Sequence, residues 1–405
     1  MRVVVRELER DEPEEKVSRL RALAYPDFRE AGDTGFYESL YRWHGTHPLA
    51  DQVYRWVAVT EEGGLVGHLN ALPQYYRVNG RRVVAHTPGD YMVLDGYGFQ
   101  ALSLMRRFFR ATENCVACDM VPAVIQVESR LGAEVVGELQ YAAKLLNVSR
   151  LPVPPVPERI RKALNLPEQF APARGYLTSA AEGAEPETAA EAPNPGRPRL
   201  PIPAPLKAAF NGGLAWIDAV LSGGYGVDLG GRKIEVEVLE GFDESFDELF
   251  EKVATVVPCI PEKDSAFLKW RYGPGSPQYP VTVLGVRDGQ RLLGYAVLKT
   301  LSTGEDGFIL DLTTLPGYRE VGRALLRESV RHFREQGAHL IRYRFLESPP
   351  SPHHGDLRRL GFFYRKGRGN WLLTRFSDPE MHEASQDLDH WSYNVGDGEA
   401  TFWIR

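Results

Sequence analysis

Residues 315–326 read LPGYREVGRALL and lie between an apolar run and an amphipathic one. A Pro-Gly turn, an arginine at 319, and small residues at Gly322 and Ala324 let a backbone approach an anion closely. The strand-like GFILDLTTL precedes the stretch, and a helix opening near Val321 follows it. The first turn of a helix carries unpaired N–H groups and the positive end of its dipole, so the junction predicts a pyrophosphate site. Arg319 would meet a phosphate oxygen through charge-assisted hydrogen bonds. This junction has neither the phosphate loop G-x-x-x-x-G-K-[ST] nor the dinucleotide fingerprint G-x-G-x-x-G.

Other residues carry chemistry nearby. Asp311 sits in the preceding strand among Ile309, Leu310 and Leu312, which makes it the first candidate base; its other reading is a solvated or strand-end partner. His353 and His354, in SPPSPHHGD, read as a loop or helix start, because adjacent histidines need a third well-placed ligand to chelate. Cys115 and Cys118 share a C-x-x-C spacing, yet on a strand that spacing points the side chains to opposite faces. No second Cys/His pair matches them, so they read as core and no metal is expected.

The elements that must position these residues follow from the rest of the chain. Its 405 residues exceed one typical core, and its formal charge of −6 argues against a nucleic-acid partner. Three cysteines suit a reducing cytoplasm rather than a disulfide framework. No apolar run nears the roughly 18 residues that span a bilayer, and no signal-peptide core opens the chain. Residues 149–205 are rich in Pro, Ala and Glu and read as a linker, disordered from about Ala173, followed by a bridging helix and loop over 206–232.

The flanks, 1–148 and 233–405, resemble each other. LYRW ends at Trp43 and FLKW at Trp270, 227 residues apart, and Gly67 matches Gly294 at the same offset. DGYGFQAL aligns with PGYREVGRAL, and SRLGA with RRLGF. Ordered anchors of this kind predict an internal duplication. Each copy reads β-α-α-β-β-β-α-β-α-β, an α/β unit with a mixed, mostly antiparallel sheet flanked by helices. The aromatic tail HWSYNVGDGEATFWIR reads as packing on a sheet or between the domains, with VGDGE as a hairpin turn.

In Arg319, Gly322 and Ala324, led in by Leu315 to Tyr318 and followed downstream by Leu360-Gly361-Phe362, the chain resembles the GNAT superfamily of acyl-CoA N-acyltransferases, whose signature is [QR]-x-x-G-x-[GA]. The resemblance covers 233 to about 376 well and 1–148 more loosely, and it implies a tandem bacterial type. It implies that backbone N–H groups of Glu320, Val321, Gly322, Arg323 and Ala324 hold the coenzyme A pyrophosphate beside Arg319. Pantetheine would lie in a wedge between GFILDLTTL and AHLIRYRFLE. A backbone N–H near Leu312, Thr313 or Thr314 would polarise the thioester carbonyl, and Asp311 would relieve the acceptor amine of a proton.

The family's general acid is often a Tyr four residues before the Gly of Leu-Gly-Phe. Leu357 stands there, and Glu128 in the first copy, so Tyr343 on the neighbouring strand becomes the candidate acid. The first copy also has Gly98, Ala101 and Ser103 in place of Arg319, Gly322 and Ala324, while Asp90 parallels Asp311. The expected activity is transfer of an acetyl or other short acyl group from acyl-CoA, as co-substrate, to an amine of a small molecule or protein. A non-catalytic acyl-CoA-binding scaffold is the alternative. Aminoacyl transfer in cell-wall assembly would want a basic surface for transfer RNA, which the net charge does not offer.

Overall fold

The structure is a computed structural model and describes residues 2–9, 14–26, 33–148, 204–223, 228–229, 231–233, 235–301, 304, 306–367 and 369–399. The expected linker lies outside these up to residue 203. The first half runs β1 (Val3–Glu7), α1 (Glu14–Ala24), α2 (Thr34–His44), β2 (Tyr54–Thr60), β3 (Leu65–Val78), β4 (Arg81–Val93), α3 (Gly98–Ala111), β5 (Cys115–Asp119), α4 (Pro122–Arg130), β6 (Glu134–Glu138) and β7 (Gln140–Leu145). After α5 (Ala204–Gly223) and a small hairpin, β8 (Asp228–Leu229) and β9 (Arg232–Lys233), the second half begins. It runs β10 (Glu237–Leu239), α6 (Glu244–Ala254), β11 (Cys259–Pro261), α7 (Ser265–Tyr272), β12 (Thr282–Asp288), β13 (Arg291–Thr300), β14 (Asp306–Thr314), α8 (Arg319–Glu335), β15 (Leu340–Phe345), α9 (His354–Arg359), β16 (Phe363–Arg365), β17 (Trp371–Arg375) and α10 (Pro379–Ser385).

Local chemistry accounts for these elements. Asp243 and Asp264 cap α6 and α7, accepting from the N–H groups of Ser245 and Phe267. In α8, Val321, Leu325, Val330 and Phe333 recur at helical spacing, and the stripe is buried against the second sheet. Cys115 and Cys118 are buried in β5, one in each of two separate core clusters, as their spacing predicts. No helix among the described residues is long and apolar enough to cross a membrane.

Two mixed, mostly antiparallel sheets result, ordered β1-β2-β3-β4-β5-β17-β6 and β10-β12-β13-β14-β15-β7-β16. The sheets do not follow the halves of the sequence. Strand β7, from the first half, inserts between β15 and β16 of the second sheet, while β17 inserts between β5 and β6 of the first. The two segments cross where Leu139 N–H donates to Asn370 O, at 2.8 Å. Strand β11 likewise leaves its own half and pairs with β3. The expectation that each copy closes its own sheet is thus corrected: the closing strands are exchanged.

A pseudo-twofold relation survives at the junction. Trp43 and Trp270 stack with centroids 4.1 Å apart and planes 4° from parallel. Each indole N–H donates to the other's backbone carbonyl, at 2.7 and 3.0 Å. One core cluster runs from Val17, Tyr37 and Trp43 through Phe246 and Trp270 to Leu310 and Phe333, so the halves share their interior.

Candidate functional site

The Pro316-Gly317 turn forms with Gly317 at φ +87°, a left-handed position that glycine takes without a Cβ penalty. Helix α8 starts at once. No side chain caps the opening amides, and among them the Val321 N–H donates to the Tyr318 carbonyl at 3.0 Å. Val321 and Ala324 are fully buried and face the core, so only their backbone can serve a ligand. Gly322 is buried beneath Thr314 and Pro352, where an added Cβ would find ordinary contacts at 3.8 and 3.9 Å.

Arg319 is already engaged. It forks onto Asp356 of α9 at 2.7 and 3.0 Å and reaches His353 Nδ1 at 3.2 Å, and Arg323 joins the same carboxylate at 2.9 Å. Burial works against the Asp356 charge, but the two guanidinium groups outweigh it and hold its pKa below the ordinary value. Asp356 went unnoticed in the sequence; the signal was an acid one helical turn before Leu-Gly-Phe. His353 is the N-cap of α9, accepting from Gly355 N–H, so the helix-start reading describes it. Glu347, His353 and His354 bring their ligand atoms within 4.8 Å of one another, but the Arg319 guanidinium at His353 Nδ1 disfavours a second cation there.

Strands β14 and β15 pair only from Asp306↔Leu340 to Ile309↔Tyr343 and then part, giving the expected wedge. Next to the divergence the β13 pairing shifts register, from Val297↔Asp311 to Leu298↔Ile309, which leaves Leu310 as a bulge. The wedge is filled. The isolated bridge Phe345↔Asn394 brings the C-terminal segment into it, and Val395–Asp397 forms a single 3-10 turn there. A Cβ at Gly396 would strike Tyr272 Oη and the Leu310 carbonyl. The VGDGE hairpin is thus corrected to a 3-10 turn, closed where Asn394 N–H donates to Asp397 Oδ2 at 2.7 Å. As far as residue 399 the aromatic tail packs as expected, with Trp391 and Tyr393 fully buried, and the rest of it lies outside the described residues.

Asp311 is 1% exposed and accepts from four groups: Lys263 Nζ (3.1 Å), Thr313 Oγ1 (2.9 Å), Asn394 Nδ2 (3.0 Å) and Tyr295 Oη (3.0 Å). Tyr343 is fully buried, stacks on Phe345 and donates its hydroxyl to Asn394 Oδ1 at 2.8 Å. The two predicted catalytic residues therefore meet, but through Asn394 and inside the protein. Lys263 also pairs with Asp397 at 3.0 Å. Burial opposes the Lys263 ammonium, yet Asp311 and Asp397 outweigh it and raise its pKa. Burial pushes Asp397 up to about 6, against the pull of Lys263. Leu312, Thr313 and Thr314 are all buried, and the Thr314 N–H already donates to Pro350 O at 2.9 Å. Lys263, Asn394 and Asp397 were missed; two acids in an aromatic tail were the available signal.

The first half repeats the motif with other residues. Asp90, at φ +46° beside a register shift, pairs with Arg21 and accepts from Tyr41 Oη at 2.9 Å, with His68 Nδ1 at 3.2 Å. Its N–H donates to Glu399 Oε1 at 2.6 Å. Strands β4 and β5 pair only at His86↔Cys115. Helix α3 also starts without a side-chain cap, at Gly98. Glu128 is fully buried, neither carboxyl oxygen finds a partner, and burial drives its pKa well above the ordinary value.

No family model and no curated protein matches the sequence. Solved structures do match in shape. A protein from Enterococcus faecalis described as a probable N-acyltransferase is 10% identical, with TM-score 0.51 over 93% of this chain and 73% of that one. A GCN5-related N-acetyltransferase from Anabaena variabilis is 12% identical, with the same TM-score and coverage. N-myristoyltransferase from Saccharomyces cerevisiae, solved with bound myristoyl-CoA, is 12% identical with TM-score 0.51, over 96% of this chain and 85% of that one. At such identities the likeness is one of fold.

Proposed function

We propose that this chain, which has the GNAT-superfamily acyl-CoA N-acyltransferase fold, transfers an acetyl or other short acyl group from acyl-CoA to an amine. The second half holds the donor. The observation that carries this reading is the uncapped start of α8, set directly after a strand that parts from its neighbour and flanked by Arg319 and Arg323. The amides of residues 320–324 would receive the pyrophosphate, and the two arginines, held by Asp356, would flank it. Leu312, Thr313 and Thr314 line the strand where the thioester would lie. With the Thr314 amide given to Pro350, an oxyanion donor would have to come from Leu312 or Thr313. Asp311 and Tyr343 act in this scheme through Asn394, positioning the tail rather than touching the amine.

Pantetheine and residues 394–397 compete for the same wedge, so donor binding displaces that segment. Amide exchange over 392–398 should therefore rise when acetyl-CoA binds. A donor at a hundred times its dissociation constant adds about 2.7 kcal/mol to stability. Arg319→Ala should erase most of the resulting melting shift, and Gly98→Ala should leave it. Acyl-dependent release of free thiol with a panel of amines then tests turnover.

The filled wedge and the leucine at 357 favour a second reading, a protein that kept the fold and lost the chemistry. Binding of acetyl-CoA without thiol release from any amine would establish it. No heat and no melting shift with any acyl-CoA would end both readings.

A further inference from the structure

A cleft of about 320 Å³ opens at the junction of the halves, between the β3–β4 hairpin, helix α6 and the start of α7. Sites for small ligands begin at about 300 Å³. Glu262 and Asp264 stand in its wall, while Lys263 between them turns inward to Asp311 and Asp397. The cleft and the filled wedge therefore lie on opposite sides of one short stretch of chain.

One wall is cationic. Glu262 is buried and accepts from two arginines, Arg77 Nη2 at 2.9 Å and Arg82 Nε at 2.6 Å. Arg82 also stacks over the Tyr75 ring at 3.6 Å, so carboxylate and ring fix its guanidinium together. Its two Nη groups, and the buried Nε of Arg77, have no partner among the described residues. Two parallel N–H donors held in this way match a carboxylate. The other wall is anionic. Asp247 accepts from Ser265 N–H and Oγ at 2.6 and 3.1 Å, and Asp264 accepts from Phe267 N–H at 2.7 Å. These donors are neutral, and neither aspartate has an ion-pair partner among the described residues. Charge decides what fits. Asp247, Glu251, Glu262 and Asp264 face two guanidinium groups, so a lone anion would add to an excess of negative charge. A lone cation would leave the Arg82 fork unused. A molecule with one group of each sign meets both walls and leaves the sum unchanged.

We propose that this cleft is a binding site for an amino acid. The ligand carboxylate sits on the Arg82 fork with Arg77 beside it. The ammonium group sits on Asp247 and Asp264, and the side chain covers Phe250 and Ala266. Glu251, 59% exposed and paired with Arg77 at 2.7 Å, stands at the rim. Binding here forms no covalent bond, and it does not rest on the acyl-transfer reading.

The test needs no acyl-CoA. The full chain is melted with each common L-amino acid in turn, and we expect at least one to raise the melting temperature. Calorimetry at equal ionic strength then compares the best of them with its own deaminated carboxylate and its own decarboxylated amine. Each analogue gives up one charge-assisted contact and should bind about tenfold more weakly. Arg82→Gln, at a half-exposed position, should weaken the amino acid about tenfold and leave the affinity of the amine as it was. Asp264→Asn keeps a side-chain oxygen to cap α7 and should weaken the amino acid and the amine, but not the carboxylate. No shift with any amino acid, an analogue that binds as tightly as its parent, or affinity that survives both substitutions overturns the proposal. Binding that follows this pattern in a protein that never frees thiol from acyl-CoA would leave the cleft standing and remove only the transferase reading.

Discussion

Where α8 begins in the second half, Arg319 and Arg323 fork onto Asp356; at the matching places the first half has Gly98, Leu102 and Val127. Where the preceding strand bulges, both halves keep a buried aspartate, and its partners His68 and Tyr295 stand at the same offset as the stacked tryptophans. The frame was kept in duplicate and the cationic loop once. Each bulge also grips the same tail: Asp311 accepts from Asn394, and the Asp90 N–H donates to Glu399. One asymmetric segment thus runs across two symmetric seats. Asp311, expected to do chemistry, is better read, like Asp90, as what holds that segment.

The largest effect should come from removing the cation that serves two of these carboxylates. Lys263→Met leaves Asp311 and Asp397 buried without it and should cost about 3–5 kcal/mol in urea unfolding. Arg21→Met, which withdraws the partner of Asp90, should cost less. The part of the Lys263→Met loss that comes from Asp397 should shrink as pH falls toward about 6, because Asp397 is pulled down by Lys263 and takes up its proton at higher pH without it. Equal losses with no pH dependence would break the proposed asymmetry between the seats.

Glu128 and Leu357 hold matching positions, one a buried acid and one a buried apolar side chain. The folded pKa of Glu128 lies above its unfolded value of about 4.3, so the protein loses stability as pH rises through the interval between them. Glu128→Gln carries no charge at any pH. Its stability relative to the parent should grow by up to about 1.4 kcal/mol per pH unit across that interval. Leu357→Glu should show the opposite trend. Parallel urea titrations at pH 4.5 and pH 8 decide between them.

Much of the frame was legible because it is written locally. The tryptophans and glycines at a constant offset marked the duplication, alternation marked the hairpins, and the Pro-Gly turn marked the start of α8. The exchange of β7 and β17 was not legible. Gln140–Leu145 and Trp371–Arg375 are short strands whose apolar residues fit either sheet, and nothing local names a partner. At the site, Arg319 was readable from its spacing, but its engagement with Asp356 depends on where α9 packs. Lys263 looked like one more charge in PEKDS. It lies between Glu262, which takes Arg77 and Arg82, and Asp264, which caps α7, and only the fold turns it inward.

Asp356→Asn sharpens the contrast in loop cations. It removes a charge shared by two arginines, and since Arg319 is nearly half exposed, solvent screening puts the cost near the lower end, about 1.5 kcal/mol. The depressed pKa fixes the sign: this contribution is present above the unfolded carboxyl value of about 3.9 and is lost as pH falls through the folded one. The parent and Asp356→Asn should therefore converge in acid. Acyl-CoA affinity should fall too, because the arginines lose their common anchor. Val127→Asp, with no arginine opposite, should only destabilise.

The smallest expected change tests whether a ligand needs the bare backbone at Gly322. An added Cβ meets nothing closer than 3.8 Å, and alanine is favoured over glycine in a helix by up to about 1 kcal/mol. Gly322→Ala should thus raise the melting temperature slightly while reducing the shift that acetyl-CoA induces. Ala101→Gly, at the matching turn of α3, should lower stability by a similar amount and leave the acetyl-CoA shift unchanged. A Gly322→Ala protein that keeps its full acetyl-CoA shift would mean that the pyrophosphate does not approach over this residue. The division of labour between the two helix starts would then rest on Arg319 and Arg323 alone.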